Sequence, residues 1–581
     1  MRGGRFLSRL PLGLLALAAV TPARAQRAPS ASPVPWRACD GDTITAIAIH
    51  SRPPAIKGLA TSLGGLADVA GLHFTVTQPR VIMAYLLLVA GHRCTERDRS
   101  ESERLLRLQP YLASASVRTI PDGPGRVRVD VETVDEVPII VGARMRGLAP
   151  RQLTLGSENV AGSALTVALS AERGLAYRSG IGVRLVQYGA FGRPYTAAAS
   201  AQRYPLGGEW TLEFAHPFLT DLERTAFHVG AQESRAYYPV IRPVGADLAL
   251  SVHRSTFDAG AVTRVGRGRV VGVVGAALLG ETVRTAAGPV IISDSGLLSA
   301  PADTALGGRF PAFRVTRLTA IGGLRALRFV TVRGFDALTA AQDMGEGIQF
   351  GALAGPSMFS STLKSDVFLS ADVYAGRGGP RSFLGVRVIG EGRADRASHR
   401  WNNVVTDGRL AWYAKPQERT TQLVSLEVSG VQRLVYPLQL TFRDHDGGLR
   451  GYPNATFAGG RRAVLRVEER RLLPPVGRRA DLAVGAFVDA GKLWAGDVPY
   501  GVTTSVRTAI GVSLFTAVPV GGKRTYRLDI AVPLNRPPGG ARWELRFSSA
   551  DRSQMLWREP ADLSRARAGA APANLLSWSP R

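Results

Sequence analysis

The chain has 581 residues, of which 45% are hydrophobic and 20% charged, with 65 Gly, two Cys and a formal net charge of +26; its mean hydropathy is +0.03. So large an apolar fraction excludes intrinsic disorder. The longest apolar runs, Leu12–Val20 and Val81–Ala90, fall well short of the roughly 18 residues that a membrane helix needs, which excludes a helical membrane protein.

Arg2, Arg5 and Arg9 form a basic start, Leu12–Val20 an apolar middle, and Ala23-Arg24-Ala25 a small-residue cleavage pattern. Residues 1–25 therefore read as a signal peptide and 26–41 as a linker, in a chain exported across a bacterial inner membrane. Apart from Lys57, Lys364, Lys415, Lys492 and Lys523, the positive charge is all Arg. It reads either as attraction to polyanions such as lipopolysaccharide phosphates or as a set of solvated side chains; nucleic acid is excluded for an exported chain. Cys39 and Cys94 read either as one disulfide, suited to an oxidising compartment, or as two free buried thiols. The scattered His residues offer no metal-ligand spacing, so neither a metal nor a cofactor is expected.

From Asp42 to Glu136 the pattern changes character several times. Ile44 stands apart from Ile47 and Ile49, which fits a strand with an irregularity. Thr77 before Pro79 predicts a cap, and Val81, Ile82, Tyr85, Leu86 and Val89 recur at helical spacing up to Gly91. Thr95-Glu96-Arg97-Asp98 is a capping-box pattern that opens a second helix carrying Leu105, Leu108 and Leu112. After the turn Pro121-Asp122-Gly123, Val127, Val129 and Val131 alternate with charged residues. The predicted order is strand, helix, helix, strand, strand. That order, with His73–Val117 at its centre, resembles a polypeptide-transport-associated (POTRA) domain over residues 42–137. The resemblance implies a periplasmic module that either binds clients by adding a strand at its sheet edge or only braces a channel.

From 142 to 550 the dominant signal is period-two alternation between Gly-rich turns. Trp210, Leu212 and Phe214 alternate with Thr211 and Glu213; Tyr526, Leu528, Ile530 and Val532 alternate with Arg527 and Asp529. One apolar and one charged face suit lipid outside and water inside a closed antiparallel barrel. At roughly 25 residues per strand and connection, the length predicts sixteen transmembrane strands. Residues 551–581 read as a polar tail in which Trp557 and Trp578 lack alternating surroundings.

Gly447-Gly448-Leu449-Arg450-Gly451-Tyr452 lies in a polar loop. Downstream, parity puts Glu468 on the lumen face of its strand, and Phe487 and Asp489 on the lumen face of the next. An Arg450 carried on an inward-folded loop would meet both carboxylates and lie against the ring. Leu449, Arg450, Gly451 and Tyr452, with Glu468, Phe487, Asp489 and Gly491, resemble the signature of the BamA/TamA outer-membrane assembly-factor superfamily, which includes the two-partner secretion transporters. Three features depart from that pattern: Leu449 replaces Val or Ile, there is room for one POTRA domain only, and the tail follows the last strand.

The resemblance implies an outer-membrane insertase or translocase with its POTRA domain in the periplasm and with no catalytic residues. Clients would be unfolded outer-membrane or secreted polypeptides. Further contacts would be the lipid bilayer, lipopolysaccharide, and periplasmic or lipoprotein partners. Clients would thread the lumen or leave through a seam beside the last strand, where Trp543, Leu545 and Phe547 alternate. The alternatives are a secretion transporter dedicated to one client and a passive diffusion pore. No Gly-x-Ser-x-Gly elbow is present to suggest an enzyme.

Overall fold

The computed structural model describes residues 38–54, 75–146, 149–172, 179–266, 268, 270–293, 298–300, 306–361, 366–443, 447–475, 479–536, 540–551 and 559–567. The expected signal peptide at 1–25, most of the expected linker at 26–41, Trp557 and Trp578 lie outside the described residues.

The N-terminal unit contains strand Asp40–Arg52, helix Pro79–Met83, strand Arg93–Thr95, helix Glu96–Leu108 and strands Leu112–Pro121 and Arg126–Asp135. In the four-stranded sheet, Asp40–Arg52 and Arg126–Asp135 are the two central strands and run parallel. Val127, Val129 and Val131 are wholly buried against Ile82, Leu105 and Leu106. Ile44 and Ile47, three positions apart, both join this core because the register shifts between them; without the bulge, period two would send them to opposite faces. Thr95 caps its helix, its hydroxyl accepting from Asp98 N at 3.1 Å.

The first helix corrects the expectation twice. It spans only Pro79–Met83, and its cap position is Gln78 rather than Thr77. Thr77 is committed elsewhere, donating to Asp135 through its N–H at 2.7 Å and its hydroxyl at 2.8 Å. The turn beyond is released because Ser102 Oγ accepts the Leu87 N–H at 2.9 Å, a donor that a longer helix would have used internally. Cys39 and Cys94 form a disulfide, with Cα atoms 5.1 Å apart.

A closed antiparallel barrel of twenty strands follows, from Ile139–Arg146 to Glu544–Asp551, with the first strand beside the last. The expected count of sixteen is too low, and the reason is local. Five barrel strands follow the Arg450 loop; the four additional ones precede it, where strands such as Leu165–Glu172 and Tyr195–Tyr204 are short. Parity along the strands follows the alternation. Leu465, Val467, Val484, Val488, Leu528 and Ile530 are exposed on the outer face, while Glu468, Phe487, Asp489, Arg527 and Asp529 are buried inside.

The N-terminal unit sits against one end of the barrel. Arg104 donates to the Leu219 carbonyl and lies 3.9 Å from the centre of the Phe329 ring. Arg107 pairs with Asp343 at 2.9 Å. Barrel residues Ala164, Val186, Tyr188 and Leu219 share the unit's apolar core. At this same end the turn 334–340 folds inward, stacking Phe335 on Tyr413 with ring centres 4.9 Å apart. From the opposite end, the segment between strands Thr420–Gln432 and Arg461–Leu472 enters the lumen, pinned by a short pair of strands, Leu440–Thr441 and Ala458–Gly459.

Candidate functional site

The loop carrying Arg450 is shaped by backbone contacts that only Gly allows. A Cβ on Gly448 would stand 2.0 Å from the Phe442 carbonyl oxygen, and Gly451 has a φ of +85°. Leu449, fully buried, fixes the loop in a cluster with Phe442, Tyr452, Val464, Leu493 and Ala509. Gly491 leaves the space for this packing: a Cβ there would lie 3.0 Å from the Phe442 ring and 3.1 Å from Leu449 Cδ2. Arg466 adds hydrogen bonds to the carbonyls of Gly447 at 3.1 Å and Gly448 at 2.7 Å.

Thus positioned, Arg450 meets the inner face of the two barrel strands that follow its loop. Its Nε and Nη2 donate to the two oxygens of Asp489 at 2.7 and 2.6 Å, and its Nη1 donates to Glu468 at 2.7 Å. The guanidinium carbon lies 3.5 Å from the centre of the Phe487 ring. The fork matches the Asp489 carboxylate bidentately while the ring covers its flat face, so both guanidinium surfaces are used. Glu468, Phe487, Asp489 and Gly491 therefore all touch or accommodate the loop.

Further residues complete the cluster. Glu468 also accepts from Arg470 Nε at 2.5 Å and Arg527 Nη2 at 2.7 Å. Arg527 in turn contacts Asp529, which accepts from Ser513 Oγ at 2.6 Å. Three guanidiniums, of Arg450, Arg470 and Arg527, thus face three carboxylates, of Glu468, Asp489 and Asp529. Arg470 continues to the Phe335 carbonyl at 2.7 Å, joining the cluster to the inward turn at the domain end. The last strand takes part through Glu544, which accepts the Gly451 N–H at 2.8 Å. Tyr452 reaches Asn535 Oδ1 at 3.0 Å. Arg527 and Asp529 stand on the charged face by alternation; which lumen residues meet depends on register across the strands, which one sequence does not reveal.

Trp543, Leu545 and Phe547 lie at the start and along the outer face of the last strand, and Phe547 stacks on Tyr526 at 6.3 Å. Beside it, Ser549 donates to the Val141 carbonyl of the first strand at 2.6 Å. Both seam strands have eight residues. Among the described residues no group of His, Cys, Asp or Glu is placed to hold a metal. The arrangement can immobilise a loop and brace a wall; its carboxylates are occupied by guanidiniums and its guanidiniums by carboxylates.

No family model and no curated protein matches this sequence. Among solved structures, CdiB from Escherichia coli is similar at a TM-score of 0.44 and 12% identity, covering 90% of this chain and 92% of that one. CdiB from Acinetobacter baumannii is similar at 0.41 and 8%, covering 88% and 74%. BamA from Haemophilus ducreyi lacking POTRA domains 1-3 is similar at 0.37 and 11%, covering 88% and 85%.

Proposed function

We propose that this chain is an outer-membrane insertase or translocase of the assembly-factor superfamily, moving unfolded polypeptides from the periplasm into or across the outer membrane. The observation that carries the reading is the Arg450 loop, folded into the lumen and locked by Glu468, Asp489 and Phe487. The apolar outer face is the surface for the bilayer, and the N-terminal unit is the POTRA module on the periplasmic side. Clients meet that unit first, with lipopolysaccharide, periplasmic proteins or lipoproteins as further partners. Transport requires no chemical step, and the chain is no enzyme on this reading. The Arg450 loop and the turn 334–340, which enter the lumen from opposite ends, speak against a passive pore.

The test is proteomics of outer membrane and culture supernatant after deletion of the gene. Loss of several barrel proteins identifies an insertase, and loss of one secreted protein identifies a dedicated transporter. No change in either fraction overturns the reading and moves the diffusion pore to the front.

A further inference from the structure

Beyond the last barrel strand the chain re-enters the barrel. The helix Ala561–Ala566 buries Leu563 and Ala566 completely, in a cluster with Val252, Val283, Val405 and Val431 of the wall and Tyr436 of the inserted loop. The wall grips this segment by its backbone. Arg254 donates to the carbonyls of Arg565 and Arg567, both at 2.6 Å, and the Tyr436 hydroxyl donates to those of Arg565, at 3.0 Å, and Ala566. Side chains add to the grip: the buried Arg462 donates to Asp562 at 2.6 Å, and Arg567 reaches Glu391 at 3.3 Å. Arg462 is the second residue of its strand, at the end of the barrel remote from the N-terminal unit. Pro560 lies against the Arg450 loop, where a Cβ on Gly447 would stand 2.7 Å from Pro560 Cβ.

Backbone carbonyls are common to every polypeptide, so a site that holds three of them by fixed donors suits a peptide ligand in general. The Arg462 and Leu563 contacts add a preference for a carboxylate followed by leucine. We propose that the outer half of the lumen is a peptide-binding site, that residues 559–567 are its resident occupant, and that this occupant closes the conduit until a passing polypeptide displaces it. The closure is a property of the chain alone, whereas displacement by a client rests on the transport reading above.

The test is conductance of the purified full-length chain in planar bilayers. Asp562→Arg sets two guanidiniums face to face, and the expected result is a several-fold rise in mean conductance over the wild type. Arg462→Asp combined with Asp562→Arg restores the pair and returns conductance to the wild-type level. A synthetic nonapeptide of residues 559–567 added to the D562R protein closes it at micromolar concentration. The nonapeptide decides the matter if the double variant fails to fold. Equal conductance of wild type and D562R, or no closure of D562R by the nonapeptide, overturns the proposal. No client is present in this experiment, so the two readings fail separately. An opened D562R channel with an unchanged proteome on gene deletion keeps the plug and overturns transport. Unchanged conductance with client loss on deletion does the reverse.

Discussion

In the lumen, Glu468 and Asp489 accept hydrogen bonds from guanidiniums, whereas at the junction between the N-terminal unit and the barrel Asp135 and Glu223 accept theirs from neutral donors. Asp135 accepts from the N–H and hydroxyl of Thr77, and Asn159 of the barrel donates to that same hydroxyl at 2.7 Å. Glu223 accepts from Leu219 N at 3.0 Å, while its cationic neighbours Arg104 and Arg325 pair with Glu101 and Asp221. A carboxyl buried among neutral donors responds to pH. The lumen is therefore built as a fixed brace and the junction as an adjustable joint.

The largest effect is expected from breaking the brace. Among the described residues, every hydrogen bond to the Asp489 side chain comes from Arg450, so Arg450→Ala leaves a fully buried carboxylate uncompensated. A loss of about 3–5 kcal/mol is expected for removing one partner of such a pair, measured as a lower temperature of the folded-to-unfolded shift on gels. Transport should fall while the barrel still folds at ambient temperature. Asp489→Ala should cost less, because Arg450 keeps Glu468 and the Phe487 ring. The reverse order would mean that the ring and Glu468 contribute little.

Gly491→Ala tests the loop's seat without touching charge. The added Cβ would meet the Phe442 ring and Leu449 Cδ2 at 3.0 and 3.1 Å, and overpacking of this kind typically costs about 1–3 kcal/mol. Thermal unfolding should show a smaller shift than for Arg450→Ala. A shift as large would place the seat of the loop, rather than its ion pairs, at the centre of the brace.

How far the sequence alone reaches follows from the range of each signal. Parity is local, so Glu468, Phe487 and Asp489 were legible as lumen residues, and the capping box at Thr95 was legible for the same reason. The strand count was not, because short strands such as Leu165–Glu172 and tight turns carry little pattern. The first helix was overextended because the Leu86–Leu88 run is apolar on every face, and its ending depends on Ser102 in another helix. The burial of Asp562, Leu563, Ala566 and Arg567 left no mark at all: Asp562 and Arg567 read as solvated charges until Arg462 and Glu391 are placed opposite them.

The smallest effect, and the one that most sharpens the contrast, is the pH dependence of the junction. Burial pushes the Asp135 carboxyl up to about 6 even though Thr77 donates to it twice. Burial pushes Glu223 up to about 7, against the backbone N–H groups of Leu219 and Thr220 and the nearby Arg325 and Arg104. Undocking hydrates both groups and returns them to the ordinary range near 4. The docked state therefore binds more protons, and its stabilisation is fully present below pH ~4 and lost as pH rises through 6 and 7. Each group contributes at most a factor of ~10 in the docking equilibrium per pH unit within that window. Hydrogen exchange of residues 75–135, corrected for intrinsic rates, should show stronger protection at pH 5.5 than at pH 8. Asp135→Asn keeps an acceptor and removes the titration, so it should flatten part of this difference. Protection that rises with pH would give the junction the paired character of the lumen and erase the distinction between brace and joint.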